Sequence, residues 1–213
     1  MSCPFDFGHY RELVESAKAG GYRFAFFDET PRPGDLLLRH DVDLSLEAAL
    51  AMAELEAELE APATYFLMTR SEFYNLDAPS GSEAIERLRR LGHRVGLHAV
   101  YPEARHDGRF DAVLAWHNPD EEYMTAPVEG FVNAMQAGFF DPEHYRSDSN
   151  QRWRHGCPHP ELANGGFEWL QLLVHPEIWF YPGETMRETM LAMLEAERAL
   201  CLDRLEADRI DLS

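Results

Sequence analysis

Short apolar runs alternate with helical repeats along residues 36–98. The run at residues 36–38 consists of three leucines, and a second apolar run covers residues 63–68. Between them, leucine and alanine recur at helical spacing from Leu46 until Pro62 ends the helix. A strand, a helix and a strand within about 30 residues make a βαβ unit, in which the two strands are parallel. The pattern therefore predicts an α/β fold with a parallel sheet.

The same rules predict the remaining elements. Further strands are predicted at residues 22–27, 94–97, 112–116 and 169–174. Further helices are predicted at residues 10–19, 83–91 and 184–205. Ser82 is the expected N-cap of the second of these helices. The third is amphipathic, and its expected buried stripe consists of Met186, Met190, Met193 and Leu194.

Ionisable side chains follow directly after four of the apolar runs. The leucine run leads to Asp41 and Asp43, and three later runs lead to His98, His117 and His175. Because the carboxyl ends of parallel strands lie on one face of a sheet or barrel, these side chains are expected to converge. Two neighbouring carboxylates repel each other unless a cation or a shared proton compensates. Carboxylate and imidazole ligands suit zinc and related divalent metals, so the pattern indicates a metal site.

A second interpretation needs no ligand. Aspartate and serine favour helix N-caps, so Asp41, Asp43 and Ser45 could all serve the helix that begins near Leu46. A single residue is enough to cap a helix, however, and the cluster also contains His40. Any one histidine is more often a core or surface residue than a ligand. The repeated position at strand ends favours ligation for the group.

Composition narrows the function classes. A chain of 213 residues with 45% hydrophobic residues is expected to form a single domain over residues 1–213. The formal net charge of −19 argues against general binding to nucleic acid or to an anionic membrane surface, so the expected ligand is neutral or cationic. The sequence has neither a secretory signal pattern nor an apolar run of about 18 residues, and a cytoplasmic protein is expected. The three cysteines lack paired spacing, which predicts neither a disulfide nor a cysteine-ligated metal.

Four segments resemble the polysaccharide deacetylases of carbohydrate esterase family 4 and their deacetylase-like relatives. They are residues 39–43 (RHDVD), 92–98 (GHRVGLH), 145–153 (YRSDSNQRW) and 172–176 (LLVHP). The resemblance implies an irregular (β/α)7-type barrel and metal-dependent hydrolysis of an amide. It further implies that Asp41 is the general base, that Asp43 and His98 bind the metal, and that His175 is the acid that protonates the leaving nitrogen.

The sequence departs from the family at one ligand. The family's second metal histidine usually stands four residues after the first, where this chain has Pro102. His117 is the expected substitute, with His106 as the next candidate. The family also has an arginine that orients the base, and the resemblance offers Arg146 or Arg152 for this role.

The expected function is removal of an acetyl group from an N-acetylated sugar or a related amide, with zinc as the expected divalent metal. Two alternatives stay open: a catalytically inactive relative that binds a sugar or a partner, and a hydrolase of another non-peptide C–N bond. Trp116, Trp153 and Trp179 are equally compatible with sugar stacking and with core packing. The expected partner is a small-molecule or carbohydrate substrate, and the sequence predicts no oligomeric state.

Overall fold

The apolar runs of the sequence form the strands of one parallel sheet. The computed structural model describes residues 3–210, and its strands are β1 (Arg23–Phe24), β2 (Asp35–Val42), β3 (Thr64–Leu67), β4 (Arg94–Val100), β5 (Val113–His117), β6 (Val132–Asn133), β7 (Tyr145–Ser147) and β8 (Leu170–Val174). They pair in the order β6-β5-β4-β3-β2-β8-β7, with β1 beside β2. Every strand pair is parallel. The sheet curls into a half-barrel, and the predicted α/β barrel class is confirmed.

Helices connect most of the strands along the chain. They are α1 (Phe7–Ala19), α2 (Leu46–Glu58), α3 (Pro79–Arg90), α4 (Glu121–Met124), α5 (His159–Ala163), α6 (Pro176–Phe180) and α7 (Met186–Ala207), with a 3-10 turn at Pro142–His144. Within residues 3–210, none of these helices combines the length and the apolar character that crossing a membrane requires.

The central strand β2 is buried along its whole length and presents two different faces. Leu36 and Leu38 pack into the main core, which includes residues of α1 and α2. Leu37 packs on the opposite face, against Phe66 and other residues inside the half-barrel. Alternate residues of a strand share a face, so Arg39 and Asp41 point the same way as Leu37. The alternation therefore directs both charged side chains into the half-barrel.

Capping does not account for the acidic cluster. The N-cap of α2 is Ser45, whose hydroxyl oxygen accepts a hydrogen bond from the backbone N–H of Ala48. Asp41 lies inside β2, and Asp43 follows the strand without capping the helix. Both carboxylates are thus available for another role.

Three predicted details are wrong. The strand expected at residues 22–27 is only Arg23–Phe24. Helix α3 begins at Pro79 rather than near Ser82, because proline is preorganised for the first helical position, and Ser82 lies in its first turn. His98 lies inside β4 rather than after it, since the strand pairs with β5 as far as Val100.

The buried face of the last helix, α7, also differs from its prediction. Leu194 was expected in the buried stripe of α7 but is 52% exposed, whereas Met193 is 2% exposed. Thr189 is also fully buried. The helix therefore contacts the domain through a narrower face than its apolar pattern predicts.

Candidate active site

Asp41 is held by an arginine of its own strand. The Arg39 guanidinium donates from Nε to Asp41 Oδ1 at 2.8 Å and from Nη2 to Oδ2 at 2.7 Å. Both side chains are buried, and Arg39 Nη1 also donates to the Gln171 side-chain oxygen. Burial alone would raise the pKa of Asp41, but the Arg39 guanidinium outweighs it and holds this pKa below its usual range. The carboxylate is therefore charged and fixed in orientation.

Asp43 lies at one corner of a triangle of possible metal ligands. Its Oδ1 is 3.0 Å from His98 Nε2 and 3.2 Å from His117 Nδ1. The two imidazole nitrogens are 3.2 Å from each other. Metal–ligand bonds of about 2.0–2.1 Å at tetrahedral angles separate neighbouring ligand atoms by about 3.3 Å. The three atoms thus have the spacing of one face of a tetrahedral site.

The hydrogen bonds around the triangle favour a cation at its centre. His98 Nδ1 is 3.0 Å from the carbonyl oxygen of Ala115, which can only accept, so in the neutral ring Nδ1 carries the proton and Nε2 has a free lone pair. Asp43 Oδ1 is buried and has no hydrogen-bond partner among residues 3–210. A carboxylate this close to two imidazole nitrogens needs either a proton on one ring or a cation at the centre. A divalent metal fits this donor set, and the second bond of His98 is the orienting contact that metal-bound histidines usually make.

The charges of the triangle are consistent with this arrangement. Burial acts to raise the pKa of Asp43, but contacts with His117 and His98 hold it well below its usual range. The same contact with the Asp43 carboxylate raises the pKa of His117. Without a metal, a proton on an imidazole is the remaining way to balance the carboxylate.

His175 faces the triangle from the end of β8. Its Nε2 is 3.9 Å from Asp43 Oδ2, and its Nδ1 is 2.6 Å from Asp148 Oδ1. Asp148 is fully buried and also accepts from the backbone N–H of His175 and from Trp179 Nε1. Burial lowers the pKa of His175, but the Asp148 carboxylate outweighs it and raises this pKa to about 10. The Asp148 carboxylate therefore favours the imidazolium form of His175 in the metal-free site.

The two arginines expected to orient the base lie elsewhere. Arg146 donates to the backbone oxygens of Glu143 and Tyr145 and lies over the ring of Phe167. Arg152 is exposed. The arginine that pairs with Asp41 is Arg39, which corrects the expectation for Arg146 and Arg152. The physical reason is that Arg39 precedes Asp41 by two residues on one strand and so shares its face.

The remaining candidates from the sequence are His106 and three tryptophans, and of these Trp116 lines the pocket. His106 is exposed and stacks on Phe131, with ring centroids 4.3 Å apart, so it is outside the triangle. Trp116 lines the pocket, and its buried Nε1 has no hydrogen-bond partner within the described residues. Trp153 and Trp179 pack against each other and against Phe5 instead.

The triangle, Asp41 and His175 all line one pocket of about 480 Å³. Its wall also contains Trp116 and the side chains of Tyr145 and Ser147. A pocket of this volume is large enough for a small ligand. The carboxylates of Asp41 and Asp43 line this pocket together with the imidazoles of His98, His117 and His175.

Sequence reasoning missed three functional candidates. Arg39 and Asp148 stand inside the segments quoted for the family resemblance, and that placement was the available signal. Glu177 follows His175 by two residues and is buried, and its Oε2 lacks a hydrogen-bond partner among residues 3–210. Burial raises the pKa of Glu177 to about 8, which favours the protonated carboxyl at neutral pH.

Comparison with known proteins gives little beyond this geometry. No protein-family model and no curated protein matches the chain. Among solved structures, a peptidoglycan deacetylase of Bdellovibrio bacteriovorus is similar to 84% of this chain, with 16% sequence identity and a TM-score of 0.40. The match covers 52% of that protein, so this chain spans about half its length. This similarity is too low to carry an argument about function, which rests on the side chains of the pocket.

Proposed function

We propose that the chain is a metal-dependent amide hydrolase that removes an acetyl group from an N-acetylated sugar or a related amide. One observation carries the proposal: Asp43, His98 and His117 place three ligand atoms within 3.2 Å of one another in the pocket. Asp41 and His175 line the same pocket and supply a base and an acid. The proposed ion is zinc or a related divalent metal.

The bound ion would polarise the amide carbonyl and lower the pKa of a water molecule beside it. Asp43, His98 and His117 would hold the ion and leave one position open, as catalytic sites with three protein ligands do. Before substrate binds, the bond from His98 Nδ1 to the Ala115 carbonyl fixes the orientation of that ligand. The sheet therefore preorganises the ligand set.

Asp41 acts as the general base. It accepts a proton from the attacking water while the water oxygen bonds to the carbonyl carbon. The two hydrogen bonds from Arg39 keep the carboxylate charged and fix its direction, and a carboxylate oxygen can accept a further proton from the pocket side. Positioning of this kind matters because proton transfer requires hydrogen-bond reach.

His175 acts as the general acid. Its Nδ1 is bonded to Asp148, so Nε2 faces the pocket and donates its proton to the departing nitrogen as the C–N bond breaks. The products are acetate and a free amine. The Asp148 carboxylate raises the pKa of His175, which favours the protonated ring at neutral pH. Trp116 and the hydroxyl groups of the wall offer apolar and polar contacts to a sugar ring.

The test is release of acetate from a panel of N-acetylated amino sugars, simple acetamides and small cyclic amides by zinc-loaded protein. We expect turnover that a chelator abolishes and that added zinc restores. The variant Asp43→Ala should be inactive, and His106→Ala should match the wild-type protein. Hydrolysis confined to the cyclic amides would favour the alternative C–N hydrolase. A protein whose triangle binds no divalent metal would contradict the proposal and favour the non-catalytic alternative.

A further inference from the structure

A second cluster of metal-binding side chains lies outside the pocket. Cys3 Sγ and Cys157 Sγ are 3.1 Å apart, and His9 Nε2 is 3.3 Å from Cys157 Sγ. The three residues come from distant parts of the chain: the segment before α1, the first turn of α1, and the loop after β7. Their donor atoms all lie within 4.8 Å of one another. None of them takes part in the proposed hydrolysis.

The neighbours of the cluster orient its donors. His9 Nδ1 is 3.0 Å from Glu12 Oε2, one turn further along α1. A carboxylate on one ring nitrogen keeps the proton there and directs the lone pair of the other nitrogen outward, as is usual for metal-bound histidines. Trp153 Nε1 donates to Cys3 Sγ at 3.2 Å. Such a donor stabilises negative charge on the sulfur.

We propose that Cys3, His9 and Cys157 bind a second divalent metal ion of the zinc class, separate from the ion of the pocket. Two thiolates and one imidazole form a donor set that zinc favours over magnesium or calcium. The ring of His159 lies against His9, with centroids 5.3 Å apart, and offers a further imidazole beside the three ligands. Zinc–sulfur bonds of about 2.3 Å separate two tetrahedral thiolates by about 3.8 Å. The sulfurs therefore move apart by less than about 1 Å on binding.

A metal explains the cluster better than a disulfide does. Cys3 and Cys157 are free cysteines whose sulfurs are 3.1 Å apart in this structure. In a disulfide, Cys157 Sγ would carry neither a proton nor a negative charge. Its contact with His9 Nε2 would then have no function. The thiol of Cys3 donates to Cys157 Sγ, so the two sulfurs already contact each other in the metal-free protein. Metal binding would release the thiol protons, because the thiolate is the form of cysteine that binds a metal.

The position of the cluster suggests what the ion would do. The loop that begins at Asp148 ends at Cys157, and Asp148 holds His175. Arg154 and His155, in the same loop, line the pocket. An ion at Cys157 would therefore fasten the outer end of this pocket wall to α1. The role is structural, and it does not depend on the proposed hydrolysis.

Cobalt(II) substitution tests the inference, because thiolate ligands give an intense near-ultraviolet charge-transfer band that oxygen and nitrogen ligands do not. We expect the reduced wild-type protein to bind two cobalt ions per chain and to show this band. Cys3→Ser and Cys157→Ser should each lose the band and one ion. His98→Ala should lose an ion but keep the band. The matched control is Cys201→Ser, which removes an exposed thiol of α7.

A second measurement uses only the wild-type chain and so does not depend on how the variants fold. Zinc should protect Cys3 and Cys157 from alkylation by iodoacetamide, while Cys201 reacts with or without zinc. Equal alkylation of all three cysteines in the presence of zinc would overturn the proposal. So would a chain that lacks the cobalt band and shows one free thiol per molecule before reduction, since that result identifies a disulfide.

Discussion

His98 and His117 lie 3.2 Å apart, from Nε2 to Nδ1, although they stand 19 residues apart in the chain. The distance follows from the parallel pairing of β4 with β5, in which His98 is opposite Ala115 and Val100 is opposite His117. Both rings lie on the face of the sheet that lines the pocket. Two neighbouring strands can therefore supply the pair of imidazole ligands. A single segment with histidines four residues apart is not required.

The first prediction tests His117 as a ligand. His117→Ala should weaken zinc binding in the pocket by more than about 100-fold, since even the loss of an outer-shell partner typically costs 10–100-fold. Isothermal titration with zinc measures the effect. His106→Ala is the matched control, because that ring is exposed and stacks on Phe131. Equal affinities for the two variants would remove His117 from the ligand set.

The second prediction separates metal loss from loss of the fold. Asp43→Ala should lose the pocket ion and keep a melting temperature close to that of the metal-free wild-type protein. The reason is that Asp43 follows β2, whereas the strand itself is held by buried Leu36, Leu37 and Leu38. Elemental analysis and thermal unfolding monitored by circular dichroism give the two readouts. An unchanged metal content would show that Asp43 is not a ligand.

The strand pattern explains why the convergence of the site could be predicted. Continuous apolar runs such as 36–38 and 170–174 identify buried parallel strands, and parallel strands place their carboxyl ends together. His175, Asp43 and His117 follow from that rule alone. Their roles as ligand or acid remain predictions.

Other features depend on contacts that no local pattern encodes. Cys3 and Cys157 are 154 residues apart, so spacing rules could not pair them, although their sulfurs lie 3.1 Å apart in the structure. The family resemblance places the orienting arginine in segment 145–153, at Arg146 or Arg152, rather than at Arg39. Its position two residues before Asp41 was sufficient evidence, since alternate strand residues share a face.

The third prediction concerns Arg39. Arg39→Met should lower activity strongly and destabilise the protein by about 3–5 kcal/mol, because it leaves the Asp41 carboxylate buried without its partner. Without the guanidinium, burial raises the pKa of Asp41, so the acid limb of the pH–rate profile should move to higher pH.

The controls for Arg39 are the two arginines that sequence reasoning favoured. Arg152→Ala removes an exposed side chain, and Arg146→Ala removes one that contacts backbone oxygens rather than Asp41. Neither should move the acid limb. A shift in Arg146→Ala equal to that in Arg39→Met would restore the original assignment.

The fourth prediction tests the general acid. His175→Ala should keep the pocket ion and lose about 10²–10⁴-fold in turnover, the usual contribution of a general acid. Steady-state kinetics and metal analysis on the same preparation separate the two effects. A histidine that serves only the core would give a lower melting temperature with full activity per folded molecule.

The fifth prediction uses the bond between His175 and Asp148 and is made for the metal-free protein. There the folded pKa of His175 is about 10, above the ordinary value of 6.5, because the Asp148 carboxylate favours the imidazolium. Its stabilising effect is therefore complete below about pH 6.5 and is lost as the pH rises through about 10. Asp148→Asn removes the charge and returns the pKa of His175 towards its ordinary value or below it, since burial disfavours the imidazolium.

Denaturant unfolding of both metal-free proteins between pH 6 and pH 10 checks this prediction. The wild-type free energy of unfolding should fall across this window by up to about 1.4 kcal/mol per pH unit, the limit for one proton. Asp148→Asn should be less stable at pH 6 and should show a flatter dependence, because its His175 releases the proton at a lower pH than in the wild-type protein. Parallel curves for the two proteins would mean that Asp148 does not hold the proton on His175, and the acid of the proposed reaction would then need another source.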